Sequence, residues 1–101
     1  MSKVSMIGSF KCQKGKADEM AAVLAEMVEA AGSEPGVEVY SYHRGDDNMF
    51  WFFALMADAE AMQNHGQSEA MQAAMASFGP LMADPPQMMM TTPVAAIGLD
   101  I

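Results

Sequence analysis

The sequence is poor in cysteine and in bases, and it has no long apolar run. One cysteine, Cys12, stands alone among 101 residues. It cannot close an intramolecular disulfide, and a cysteine-ligated metal centre would need several chains. Five lysines and arginines face thirteen acidic residues, for a net charge of −8. No basic stripe is left to neutralise phosphates, which argues against nucleic acid and against docking on anionic lipid. No stretch approaches the ~18 apolar residues that span a bilayer. Met1 to Phe10 is broken by Ser5, Gly8 and Ser9, so it reads as a strand and not as a signal peptide. The expected setting is the cytoplasm. The sequence contains no glycine-rich phosphate loop, no ligand spacing typical of a metal site and no Ser–His–acid arrangement. Neither a cofactor nor a metal is expected.

What the chain does have is apolar mass. Apolar residues make up 51% and charged residues 18%, which is a folding composition and not a disordered one. The length suits a single domain over 1–101. A domain this small buries only part of its apolar surface, so self-association is expected. Methionine is over-used, at 13 residues, with Met62, Met71, Met75, Met82, Met88, Met89 and Met90 all near the C-terminal end. The thioether is flexible and fills irregular space. It suits a loosely specified core, or a pocket that adapts to a flexible apolar ligand.

Periodicity then orders the elements. Val4 to Cys12 alternates as a strand, with Val4, Met6, Gly8, Phe10 and Cys12 on one face. From Lys16 to Gly32 the period becomes helical, through Met20, Leu24, Met27, Val28 and Ala31. Asp18 and Glu19 suit the first turn of that helix, and Gly32 its end. Glu34-Pro35-Gly36 breaks the chain. Val37 to Arg44 alternates again, a turn follows at Gly45 to Asn48, and Met49 to Met56 is a solid apolar run. Such a run suggests a strand buried on both faces, in a hairpin with its predecessor. Asp58 and Ser68 can each cap a short helix, and Gly79-Pro80 ends the second. Met88 to Ile101 is expected as a last strand interrupted by Pro93.

Strand, helix, strand, strand, helix, strand is the split βαβ pattern. It predicts an α+β, ferredoxin-like subunit with an antiparallel four-stranded sheet and helices on one face. The other face has no cover within the chain, so a homodimer packed sheet on sheet is expected.

Taken together, Gly15 to Glu19, Glu34-Pro35-Gly36, Tyr40, His43-Arg44, Phe50 to Met56, Asp58 to Ala61 and His65 resemble the antibiotic-biosynthesis-monooxygenase family. The likeness runs from about Val4 to Leu99. It implies a dimeric α+β barrel whose last strand often reaches across to the partner. It also implies oxidation of aromatic polyketides with molecular oxygen, without metal or flavin. Relatives often carry a glutamate and a tryptophan where this chain has Ala54 and Met56, which argues against ordinary quinone formation. The tryptophan and asparagine of haem-degrading relatives have no counterpart here, and Trp51 lies on the opposite strand face from Met56, which argues against haem degradation. The matching tyrosine and histidine are Tyr40 and His65.

His65 is the candidate catalytic residue. A histidine can take a proton from a phenol or enol near neutral pH, and the resulting anion can react with oxygen directly. A plainer role, capping its helix or touching the other subunit, competes with that one. Phe50, Phe52, Ala54 and Met56 project to one side of their strand, which the resemblance implies faces the helices, and with Tyr40, Met62, His65, Met71, Met75 and Phe78 they are the expected lining of an apolar ligand pocket. The ligand class is polyketide- or fatty-acyl-like. The same fold without catalysis would serve as a carrier, and a well-filled core without any cavity is the bland alternative.

Overall fold

The computed structural model describes residues 2–101. Four strands and three helices follow in the order β1 (Val4–Lys11), α1 (Ala17–Ala31), β2 (Val37–Arg44), β3 (Met49–Met56), α2 (Ala59–Gln67), α3 (Glu69–Phe78) and β4 (Gln87–Thr91). The sheet order is β2-β3-β1-β4, and every pairing is antiparallel. This is the α+β, ferredoxin-like arrangement that the element order implies. No helix among the described residues is long and apolar enough to cross a membrane.

The helices form where apolar spacing and caps agree. In α1 the buried residues are Ala17, Met20, Leu24, Met27 and Ala31, alternating three and four apart, which places them on one stripe. The Asp58 carboxylate accepts from Ala61 N at 2.8 Å and starts α2. The Ser68 hydroxyl accepts from Met71 N at 3.1 Å and starts α3. Each cap satisfies one of the amides that a helix start leaves free.

The sheet separates two environments. Phe50, Phe52, Ala54 and Met56 are all buried on the helix side of β3. Phe10 stacks on Phe50 at 5.6 Å and meets Phe78 of α3 at 6.2 Å. This main core also holds Met20, Leu24 and Phe52. A second cluster gathers Ala54, Met56, Ala61 and Met62. On the opposite face Ile7 is 48%, Trp51 51% and Met89 70% exposed, an apolar surface that this chain leaves uncovered.

The last strand is shorter than its sequence suggests. An extended run through Ile101 is expected, but β4 stops at Thr91. Pro93 lacks the amide that a ladder needs, and past Thr91 the segment has no strand partner within the subunit. Val94 and Ile97 are almost wholly exposed there. The segment returns toward the start of β1, where the Lys3 ammonium donates to Glu38 and to the Asp100 carbonyl.

Gly8 shows how closely the sheet is filled. A Cβ built there would lie 2.5 Å from the Phe52 ring and 2.5 Å from the Gln87 carbonyl oxygen. The backbone contact cannot yield as a side chain could. Gly8→Ala is expected to cost about 1–3 kcal/mol through overpacking. Urea denaturation checks this, and an unchanged midpoint would contradict it.

Candidate functional site

The site begins at the turn between α1 and β2. Gly36 adopts φ +86°, and a Cβ there would lie 2.5 Å from the Ala61 Cβ of α2. Only glycine fits both demands, the left-handed backbone and the close approach. The turn therefore presses directly on α2. Two residues earlier, Glu34 reaches the last turn of the same helix.

There the Nδ1–H of His65 donates to Glu34 Oε2 at 2.6 Å. The imidazole is only 4% exposed. A carboxylate oxygen accepts, so the bond places a proton on Nδ1 and turns Nε2 away from Glu34. Nε2 is buried and has no hydrogen-bond partner. An unsatisfied buried polar atom costs about 1–3 kcal/mol, and such atoms mark strained or functional places. The fold thus orients a histidine and keeps its free nitrogen away from bulk water.

Tyr40 closes one side of the imidazole. Its ring meets His65 edge-on, with centroids 4.9 Å apart and planes at 82°. The Tyr40 hydroxyl bonds the Tyr42 hydroxyl at 2.6 Å, and both side chains are half-buried. Burial raises both phenols above their ordinary range, Tyr42 far more strongly. The Glu34 charge adds to the rise at Tyr40, while the bond to Tyr42 opposes it. Two neutral phenols share one bond, which leaves one hydroxyl proton for another acceptor.

Beyond Tyr40 lies an open cleft of about 460 Å³ between α1 and β2. Its walls are Leu24, Ala25 and Val28 on one side and Tyr40, Tyr42 and Arg44 on the other, with Phe50 at the base. Arg44 Nη1 donates to Asp18 Oδ1 of α1 at 2.8 Å. A separate void of about 10 Å³ touches Glu34, His65 and Met71, room for about one water.

The structure does not bring the expected pocket residues together in one place. Tyr40 and Phe50 line the cleft. Phe52 and Phe78 lie in the main core, and Ala54, Met56 and Met62 in the second cluster. Ala54 and Met56 are 0% exposed, so the side chains around them close over this place. Met71 borders the small void with His65, and Met75 is 54% exposed on α3. Glu34 is the partner that sequence reasoning missed. Its signal was the turn Glu34-Pro35-Gly36, which reads as a chain break and not as a source of a carboxylate.

A family model described as antibiotic biosynthesis monooxygenase matches residues 3–77. No curated protein matches the sequence. Among solved structures, one described as a "putative antibiotic biosynthesis monooxygenase" from Caulobacter crescentus is 27% identical, with a TM-score of 0.88. That match covers 93% of this chain and 92% of the other. A second protein so described, from Chloroflexus aurantiacus, is 26% identical, with a TM-score of 0.84 over 98% and 100% of the two chains. A Nitrosomonas europaea protein of unknown function shares the fold at 23% identity, with a TM-score of 0.86 over 99% and 97%.

The tyrosine pair makes a pH prediction. Both phenols stay neutral in the folded chain above the ordinary value of 10.0. Their contribution is complete below the unfolded value near 10 and is lost as pH climbs from there toward the folded values. The melting temperature is therefore expected to fall above about pH 10, with phenolate absorbance appearing together with unfolding. Tyr42→Phe should flatten that fall. Phenolate absorbance rising well below the unfolding transition would contradict the assignment.

Proposed function

The chain belongs to the antibiotic biosynthesis monooxygenase family, and on that premise we propose that it is a cofactor-independent monooxygenase acting on an apolar, enolisable small molecule. The ligand class is polyketide- or fatty-acyl-like. His65 is the base. The observation that carries this reading is the buried His65–Glu34 pair with its unpartnered Nε2.

The chemistry needs little more than a placed base. His65 Nε2 takes the proton of an enol or phenol, and Glu34 stabilises the imidazolium that forms. The substrate anion passes electrons to oxygen. One oxygen atom enters the product at a CH₂ carbon, and the other leaves as water with the two hydrogens of that carbon. The substrate supplies all the electrons, so the balance closes without an external reductant. The cleft beside Tyr40 is where such a molecule sits in this reading, with the spare tyrosine proton donating to its oxygen as negative charge develops. Tyr40 bonds Tyr42 and packs edge-on against the imidazole.

Oxygen uptake with a panel of anthrone-like and enone substrates tests the proposal. His65→Ala is expected to lower kcat by about 10²–10⁴-fold, the usual worth of a general base. Glu34→Gln should lower it less, because the imidazole keeps a partner. A His65→Ala enzyme as fast as the parent would refute the role. One observation favours a second reading, a non-catalytic carrier of a lipid-like ligand: the Tyr40 ring stands between the cleft and His65. Bound apolar passenger in protein purified from cells, with no oxygen uptake, would favour the carrier.

A cytoplasmic homodimer is part of the same proposal. Ile7, Trp51 and Met89 form an exposed apolar surface on the outer sheet face, larger than isolated surface residues would make. A twofold-related copy covers it with the same surface. Trp51→Lys is expected to shift the sedimentation coefficient from dimer toward monomer. A parent protein that sediments as a monomer would remove this part of the reading.

A further inference from the structure

The cleft between α1 and β2 is neither a filled core nor a featureless groove. Its space exists because α1 presents alanine there: Ala21 and Ala25, one helical turn apart, line it together with Leu24 and Val28. Residues four apart lie one above the other on a helix face, so the two alanines leave a channel along α1. A volume of about 460 Å³ lies within the usual range for small-molecule sites.

Its polar groups are few and sit on one side. Tyr40 and Tyr42 contribute hydroxyls that burial keeps neutral. Among the described residues, Arg44 is the only charged one lining the cleft. Its bond to Asp18 holds the guanidinium across the cleft from β2 to α1. That bond uses one of the two Nη groups, and a guanidinium carries five donors in a fixed fork. The Arg44 side chain is still 51% exposed. The remaining donors face a chain whose net charge is −8, so this cation stands out against a repelling background. An anionic group would be disfavoured elsewhere on such a surface and favoured here.

From these observations we infer that the cleft takes an amphipathic carboxylate, an apolar chain or ring bearing one acid group, with the carboxylate on Arg44 and the apolar body along Ala21, Ala25, Val28 and Phe50. The inference rests on reading the cleft as the ligand-holding part of the molecule and not on the role given to His65. It narrows the substrate class: the enolisable molecule carries a carboxylate at the end remote from the reacting carbon. A neutral ligand would leave Arg44 without a purpose beyond its exposed pair with Asp18, and exposed pairs of that kind contribute little.

Calorimetric titration of the full-length protein with sodium decanoate, against 1-decanol as the uncharged counterpart, tests this. Decanoate should bind saturably and about tenfold or more tighter than decanol, the equivalent of about 1.4 kcal/mol for a charge-assisted contact. Arg44→Gln should erase that preference while leaving decanol binding unchanged. Ala25→Trp, at an exposed helix position that tolerates bulk, should fill the channel and remove binding of both. Oxygen uptake measured in parallel on the same protein tells a failed oxygenase assay and a failed binding assay apart. Equal affinity for the two probes, a preference that survives in Arg44→Gln, or binding untouched by Ala25→Trp would each overturn the inference.

Discussion

Everything in this subunit is arranged around a central strand that is apolar on both sides. β3 lies between β2 and β1 and pairs with both along its length. Its even positions, Phe50 to Met56, must be covered, and the three helices cover them. Of its odd positions Leu55 is buried and Phe53 half-buried, while Trp51 stays half exposed within this chain. A strand with one polar face would have released that second demand. The helical layer, the aromatic stack of Phe10 on Phe50 and the bare outer face thus follow from one eight-residue run.

Much of this was legible in the sequence, because a period of two or 3.6 is a local signal. Val4, Met6, Gly8 and Phe10 betray the inward face of β1 without any structure, and Met20, Leu24 and Met27 betray that of α1. The caps Asp58 and Ser68 are equally local. What a local signal cannot carry is a meeting between distant residues. Glu34 and His65 are 31 positions apart, and they meet because Gly36 lets a turn rest on Ala61. Ala54 likewise suggests a vacancy when set beside relatives, but whether space opens there depends on Met56, Met62 and their neighbours. The over-long last strand has the same origin: β propensity continues past Thr91, but hydrogen-bond partners do not.

The site joins two electrostatic arrangements through one ring. On one side a carboxylate holds a histidine proton, and on the other two phenols hold each other. Tyr40 touches both, edge-on to the imidazole and hydrogen-bonded to Tyr42. Burial favours the neutral form of the phenols, while the carboxylate fixes which nitrogen of the imidazole carries the proton. The two effects divide the labour: one side orients an imidazole through Nδ1, and the other keeps a phenol donor protonated. Neither depends on Ala54 or Met56, which lie in a separate buried cluster.

Ser68 has a mechanical meaning as well as a local one. Its hydroxyl donates to the His65 carbonyl at 3.0 Å while accepting from Met71 N at 3.1 Å, and its own amide donates to the same carbonyl at 3.3 Å. A single residue is therefore the end of one helix and the beginning of the next, with no slack between them. Two rigid rods joined by so short a pin keep few independent degrees of freedom. A tilt of α3 is transmitted to the turn that holds His65, so whatever presses on the far side of α3 has a lever on the imidazole.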